Sequence, residues 1–177
     1  MTDTVIANST ADDLRTILRS LLAKTNTAAT FSAVARDLFL QNSRSQTIQP
    51  LFTSAPQPLP SPAFHTLLCR ARVLYGCGLG LQSTELLTRI VTASVGLHWE
   101  EGGAIEDALS VVDCDLAAAL YNVKDTFGTR LKDRDMSARG TLAALDMALR
   151  MVASQMEECG GDNPFERAQE ALAEFEF

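Results

Sequence analysis

Residues 103–128, GAIEDALSVVDCDLAAALYNVKDTFG, decide the fold. Ile105, Leu109, Val112, Leu116, Leu120, Val123 and Phe127 follow at steps of three and four, the spacing that keeps side chains on one helix face. That face must be buried. Val111, Cys114, Ala117, Ala118 and Tyr121 add apolar surface on the other side, so this central helix is expected to have neighbours on two sides, as the core of a bundle.

The segments around it read the same way. After the helix comes a charged connector, GTRLKDRDM, and then a sixth helix over 137–158 with Leu142, Leu145, Leu149, Val152 and Met156 as its core stripe, expected to pack on the central helix. Cys159, Gly160 and Gly161 stop it. Asn163 and Pro164 begin a short last helix that buries Phe165, Ala168, Leu172 and Phe175. Before the central helix, a fourth helix over 82–99 carries Leu86, Leu87, Ile90, Val91, Ser94 and Val95. A third over 62–76 is capped by Ser61 and opened by Pro62, which suits a first helical turn. The N-terminal part predicts a helical hairpin. Its first helix (10–24) is capped by Thr10 and buries Leu14, Ile17, Leu18, Leu21 and Leu22, and its second (28–42) buries Phe31, Val34, Ala35, Leu38 and Phe39.

No segment has the period of a strand and no internal repeat is evident. The expectation is an all-α, single-domain helical bundle of six or seven helices spanning 1–177, with residues 1–9 flexible. Residues 43–61, SRSQTIQPLFTSAPQPLPS, form a proline-rich extended connector, expected to be pinned to the bundle by Leu51, Phe52 and Leu59. Its prolines recur every second residue from Pro56 to Pro62, whereas a PxxP ligand needs a spacing of three.

At 177 residues the chain is long enough to bury a core without disulfides or metals, and 46% hydrophobic with 21% charged residues is an ordinary globular composition. The net charge of −7 repels phosphate backbones and anionic lipid. No apolar run reaches the roughly 18 to 20 residues that span a bilayer, and the N-terminus has no basic-then-apolar leader. The protein is therefore expected to be intracellular, cytoplasmic or nuclear, without membrane contact. Its four cysteines, Cys69, Cys77, Cys114 and Cys159, form no CxxC pair and read as reduced thiols, several of them buried.

Asp113 and Asp115 are the most informative polar residues, because they stand at opposite edges of the central apolar stripe with no cation one turn away. A carboxylate at a core must reach water or meet a partner, and Arg70, Arg72 and Arg89 are the candidates. The functional alternative is an acid that anchors a ligand or acts as a general base within the bundle. His65 and Cys69 lie one helical turn apart but lack the tight local pairs of a zinc site, so no metal is expected. His98 is expected to sit near the C-terminal end of the fourth helix, where the dipole favours a cation. Gly76, Cys77, Gly78, Leu79 and Gly80 follow a helix and lack the GxGxxG or GKS/GKT pattern of a phosphate loop. No nucleophile stands beside an oriented base, and no cofactor is expected.

Two surfaces remain as partner contacts. Arg130, Lys132, Arg134 and Arg139 make a basic run in an acidic chain, extended by Lys124 and without stacking aromatics. Ala143, Ala144, Met147 and Met151 make a second apolar strip on the sixth helix, which either the last helix or a second molecule must cover. The leading expectation is a non-enzymatic interaction or assembly module whose partner is another protein or a second copy. The alternatives are a ligand-binding or enzymatic bundle using an interior Asp and, less favoured by charge, a nucleic-acid-associated protein.

Overall fold

The computed structural model describes residues 9–23, 27–41, 49–54, 57–100, 102–131 and 135–176; residues 1–8, expected to be flexible, and the connector's first part, 43–48, lie outside these. The protein is all-α. The described residues form α1 (Ala11–Leu22), α2 (Thr27–Gln41), α3 (Pro62–Gly76), α4 (Gly80–Ser94), α5 (Ala104–Phe127), α6 (Met136–Cys159) and α7 (Glu166–Ala173), with only two isolated β-bridges besides. The chain divides into two compact units, Met1–Ser45 and Gln46–Phe177. The division falls inside the proline-rich connector.

In the first unit α1 and α2 pack as the expected hairpin. The Thr10 hydroxyl accepts from the Asp13 amide at 3.2 Å while the Asp13 carboxylate accepts from the Thr10 amide at 3.1 Å, a reciprocal cap on α1. These Thr10 bonds hold the Asp13 carboxyl below its ordinary range. The expected burial is not found. α1 contains no buried residue, and Ile17, Leu18, Leu21, Phe31, Val34 and Leu38 are exposed; Ala35 is buried, and the Phe39 side chain lies outside the described residues. Two amphipathic helices can cover only part of each other's stripes without a further layer.

In the second unit the core runs through α3 to α7. Ser61 caps α3 by accepting from the Phe64 amide at 3.2 Å, and its own hydroxyl donates to the Pro50 carbonyl at 2.8 Å. The connector residues Thr53 and Leu59 close onto each other, since the Thr53 amide donates to the Leu59 carbonyl. Phe52 is buried with its ring centroid 5.5 Å from that of Phe64, so this residue does pin the connector. Leu59 does not: it is exposed.

α5 keeps its expected stripe, with Ile105, Leu109, Val112, Leu116, Leu120 and Val123 buried. Its other side is covered in part: Ala117 and Ala118 are half-buried, while Val111, Cys114 and Tyr121 are exposed. α4 and α5 each have three flanking neighbours: α4 packs against α3, α5 and α6, and α5 against α3, α4 and α7. α6 therefore packs its stripe on α4 and not chiefly on α5, while α7 lies on α5. α4 can sit this deep because its polar residues satisfy themselves: Ser83 donates to the Ala71 carbonyl, Thr84 to Gly80 and Ser94 to Val91, each within 2.9 Å. It also stops short of the expected end. Gly96 at φ 82° turns the chain after Ser94, so His98 is an exposed residue beyond the helix and does not meet its dipole.

Two substitutions test this packing. Leu116→Ala, at a fully buried site, should lower the unfolding free energy by about 2 to 5 kcal/mol in a denaturant titration. Gly80→Ala would usually stabilise a helix by up to about 1 kcal/mol. Here a Cβ would stand 2.8 Å from the Ala119 carbonyl oxygen of α5, so the same titration should show a loss.

Candidate functional site

The polar residues of α5 form the candidate site, and each one joins a different helix. Asp115 is buried at the edge of the stripe and accepts from Arg72 Nε at 2.8 Å and from the Tyr75 hydroxyl at 3.0 Å, both on α3. Burial, followed by the bond to Asp115, raises the pKa of Tyr75 and keeps the phenol a donor. Of the three arginines proposed as partners, Arg72 meets this acid; Arg70 is half-buried on α3 and Arg89 exposed on α4.

Among the described residues Asp113 takes its hydrogen bonds from backbone amides instead of an arginine side chain. Its carboxylate accepts from the Ala168 amide at 2.8 Å and the Arg167 amide at 3.4 Å. These are amides of the first turn of α7, whose own N-cap position is Phe165 and supplies no side-chain acceptor. Asp113 thus acts as an N-cap from another helix, where the dipole also favours negative charge. Burial is the larger effect, however, and it raises the Asp113 pKa above 3.8 despite the amide bonds.

Asn122 completes the set. Its Oδ1 accepts from the Gly80 amide at 3.0 Å, at the start of α4, which likewise has no side-chain cap from Leu79. Asn122 is not among the residues that the sequence marks as candidates. Its position one residue before buried Val123, close to the core stripe, was the available signal.

The interior acids hold helices together, and neither lines any of three clefts among the described residues. One, of about 350 Å³, lies between Trp99, Met156 and Gly161; one of about 300 Å³ lies beside Pro58 and Ile105; one of about 520 Å³ separates Arg150 from Phe175. His65 is exposed, with its ring edge-on to Phe64, and Cys69 is exposed beside it. Contrary to expectation the thiols are mostly outside: Cys69, Cys114 and Cys159 are exposed and Cys77 is half-buried, because the first three point away from the core stripes of their helices. No group of three or more potential metal ligands occurs among the described residues.

The basic run is partly matched by the chain's own C-terminal acids. Arg130 Nε donates to Glu176 at 2.8 Å, and Lys124 pairs with Glu174. Arg139 is half-buried in the first turn of α6, while Lys132 and Arg134 lie outside the described residues. The second strip of α6 stays uncovered by α7: Phe165, Leu172 and Phe175 are buried in the core, and Ala143, Ala144, Met147 and Met151 are exposed. No helix among the described residues is long and apolar enough to cross a membrane. Comparison with protein-family models, curated protein sequences and solved structures finds no match.

If Asp113 is a cap, Asp113→Ala leaves two α7 amides without their acceptor and should cost about 1 to 3 kcal/mol, whereas Asp113→Asn keeps an acceptor and should cost less. The pH dependence separates the charge. With the folded pKa raised above 3.8, the contribution of Asp113 is fully present below that value and is lost as pH rises through the folded pKa. Denaturant titrations over this range should show the wild type losing stability relative to Asp113→Asn as pH increases.

Proposed function

We propose that the protein is an intracellular, non-enzymatic helical interaction and assembly module that works through the outer face of α6. The observation that carries this reading is the exposure of Met147 at 65% and Met151 at 47%, with Ala143 and Ala144 exposed beside them, on a helix whose opposite stripe is already buried. Contiguous exposed apolar surface of this kind marks interaction sites, and methionine adapts to a partner's shape. The interior acids support the reading from the other side. Asp113 and Asp115 are engaged with α7 and α3, which supports a structural role for these acids. The acidic net charge disfavours nucleic acid.

Native mass spectrometry of the protein purified from its own host tests the reading. The expected spectrum contains a second polypeptide, another copy or a different chain. Met147→Glu combined with Met151→Glu should reduce that complex at least about tenfold, since a charge buried in an apolar contact costs more than about 1.4 kcal/mol. A bare monomer, or a monomer holding a small molecule that the variant retains, overturns the proposal.

A further inference from the structure

The apolar face of α6 has a charged flank with a particular symmetry. Met136, Gly140, Ala143, Ala144, Met147, Met151 and Ser154 run along the exposed face, which closes with the acid Glu158 at its C-terminal end. On one side of that row stand Arg139, Asp146, Arg150 and Glu157, in the order plus, minus, plus, minus. Arg139 and Glu157 are equidistant from Ala148 along the helix, and so are Asp146 and Arg150. The other flank carries Ser137, Thr141 and Gln155 and no charge. Asp146 and Arg150 already pair within the helix at 2.8 Å, yet the Arg150 side chain remains 77% exposed, with donors turned outward.

Two helices related by a two-fold axis perpendicular to both run antiparallel, and each flank then faces the same flank of the other copy. A sequence of charges that inverts its sign about its midpoint is complementary to itself in this arrangement. In a parallel pair the charged flank would face the uncharged one and gain nothing. The apolar row agrees with the antiparallel register within one residue. With the axis at Met147, this side chain meets its own copy, Met151 meets Ala143 of the second copy, and Ser154 meets Gly140, where a Cβ would have open space. Met151 thus opposes a small residue at each of its two symmetry-related positions.

We propose that the partner on this face is a second copy of the chain, docked α6 against α6 in antiparallel register and fixed there by reciprocal Asp146–Arg150 and Arg139–Glu157 pairs. The proposal rests on the interaction reading above and names its occupant. A single helix pair buries less than the roughly 1,200 Å² of a standard stable complex, so the contact is a weak dimer whose charges set register and partner choice.

Sedimentation velocity of the full chain between about 1 and 300 µM, which brackets a micromolar contact, provides the test. The wild type should pass from monomer to dimer. Arg150→Glu alone places acids opposite each other at both of the pairs that flank the two-fold axis, and Asp146→Arg alone places arginines there. Each should weaken the dimer at least about tenfold while its circular dichroism melt confirms a folded chain. An equimolar mixture of the two variants should recover dimerisation, because one chain then offers two acids and the other two arginines. Neither variant has the intrahelical pair, so recovery cannot come from restoring it. A mixture that stays as weak as its components overturns the antiparallel register. A wild type that remains monomeric throughout overturns the second copy; if its native mass spectrum still contains a different polypeptide, the interaction reading stands without this partner.

Discussion

Asp113 is an acid in a core, and the fold arranges its environment around that fact. Removing a carboxylate from water costs several kcal/mol unless something replaces the lost hydration. Two amides and the N-terminal dipole of α7 replace part of it. The raised pKa shows that they do not replace all of it. The bond therefore adds less to stability than its geometry suggests, and its contribution is positional. α7 has no cap of its own, so its first turn is satisfied when it docks with Arg167 and Ala168 over Asp113.

The same device recurs along α5. Asn122 meets the first amide of α4, and Asp115 meets Arg72 and Tyr75 of α3. Three neighbouring helices are thus indexed to one helix by side chains that each fill a specific unmet donor. Apolar burial drives the collapse, since it scales with area and is indifferent to register. These directional bonds then select one register among the packings that a leucine-rich interface would accept. The close approach of α4 at Gly80 works in the same sense, because a bulkier residue could not occupy that crossing.

The surface follows the opposite rule. On α6 one stripe is fully covered by the core while the other, built from Met, Ala and Gly, faces outward. In the first unit α1 and α2 also present apolar residues without covering them. Interior polar groups are all engaged among the described residues, so the unmatched chemistry of this protein is apolar and lies outside.

Periodicity alone determined the helical class, the extents of α3, α5 and α6 to within a residue or two, the existence of α7, and the buried stripes of the second unit. It also marked Asp113 and Asp115 as residues needing partners. These are local properties: a three-four spacing, a Ser or Thr before a helix, and a glycine after one act within a turn or two of chain. That α4 lies as deep in the bundle as α5 was decided by tertiary structure, because Ser83, Thr84 and Ser94 look polar in sequence and become core residues only once their hydroxyls bond backbone carbonyls. The outward placement of Val111, Cys114 and Tyr121 was settled in the same way, since an apolar residue does not state whether a neighbour exists to cover it. The partner of Asp113 was the least legible of all. A backbone amide has no signature in sequence, and only the docking of α7, 54 residues away along the chain, brings one within reach.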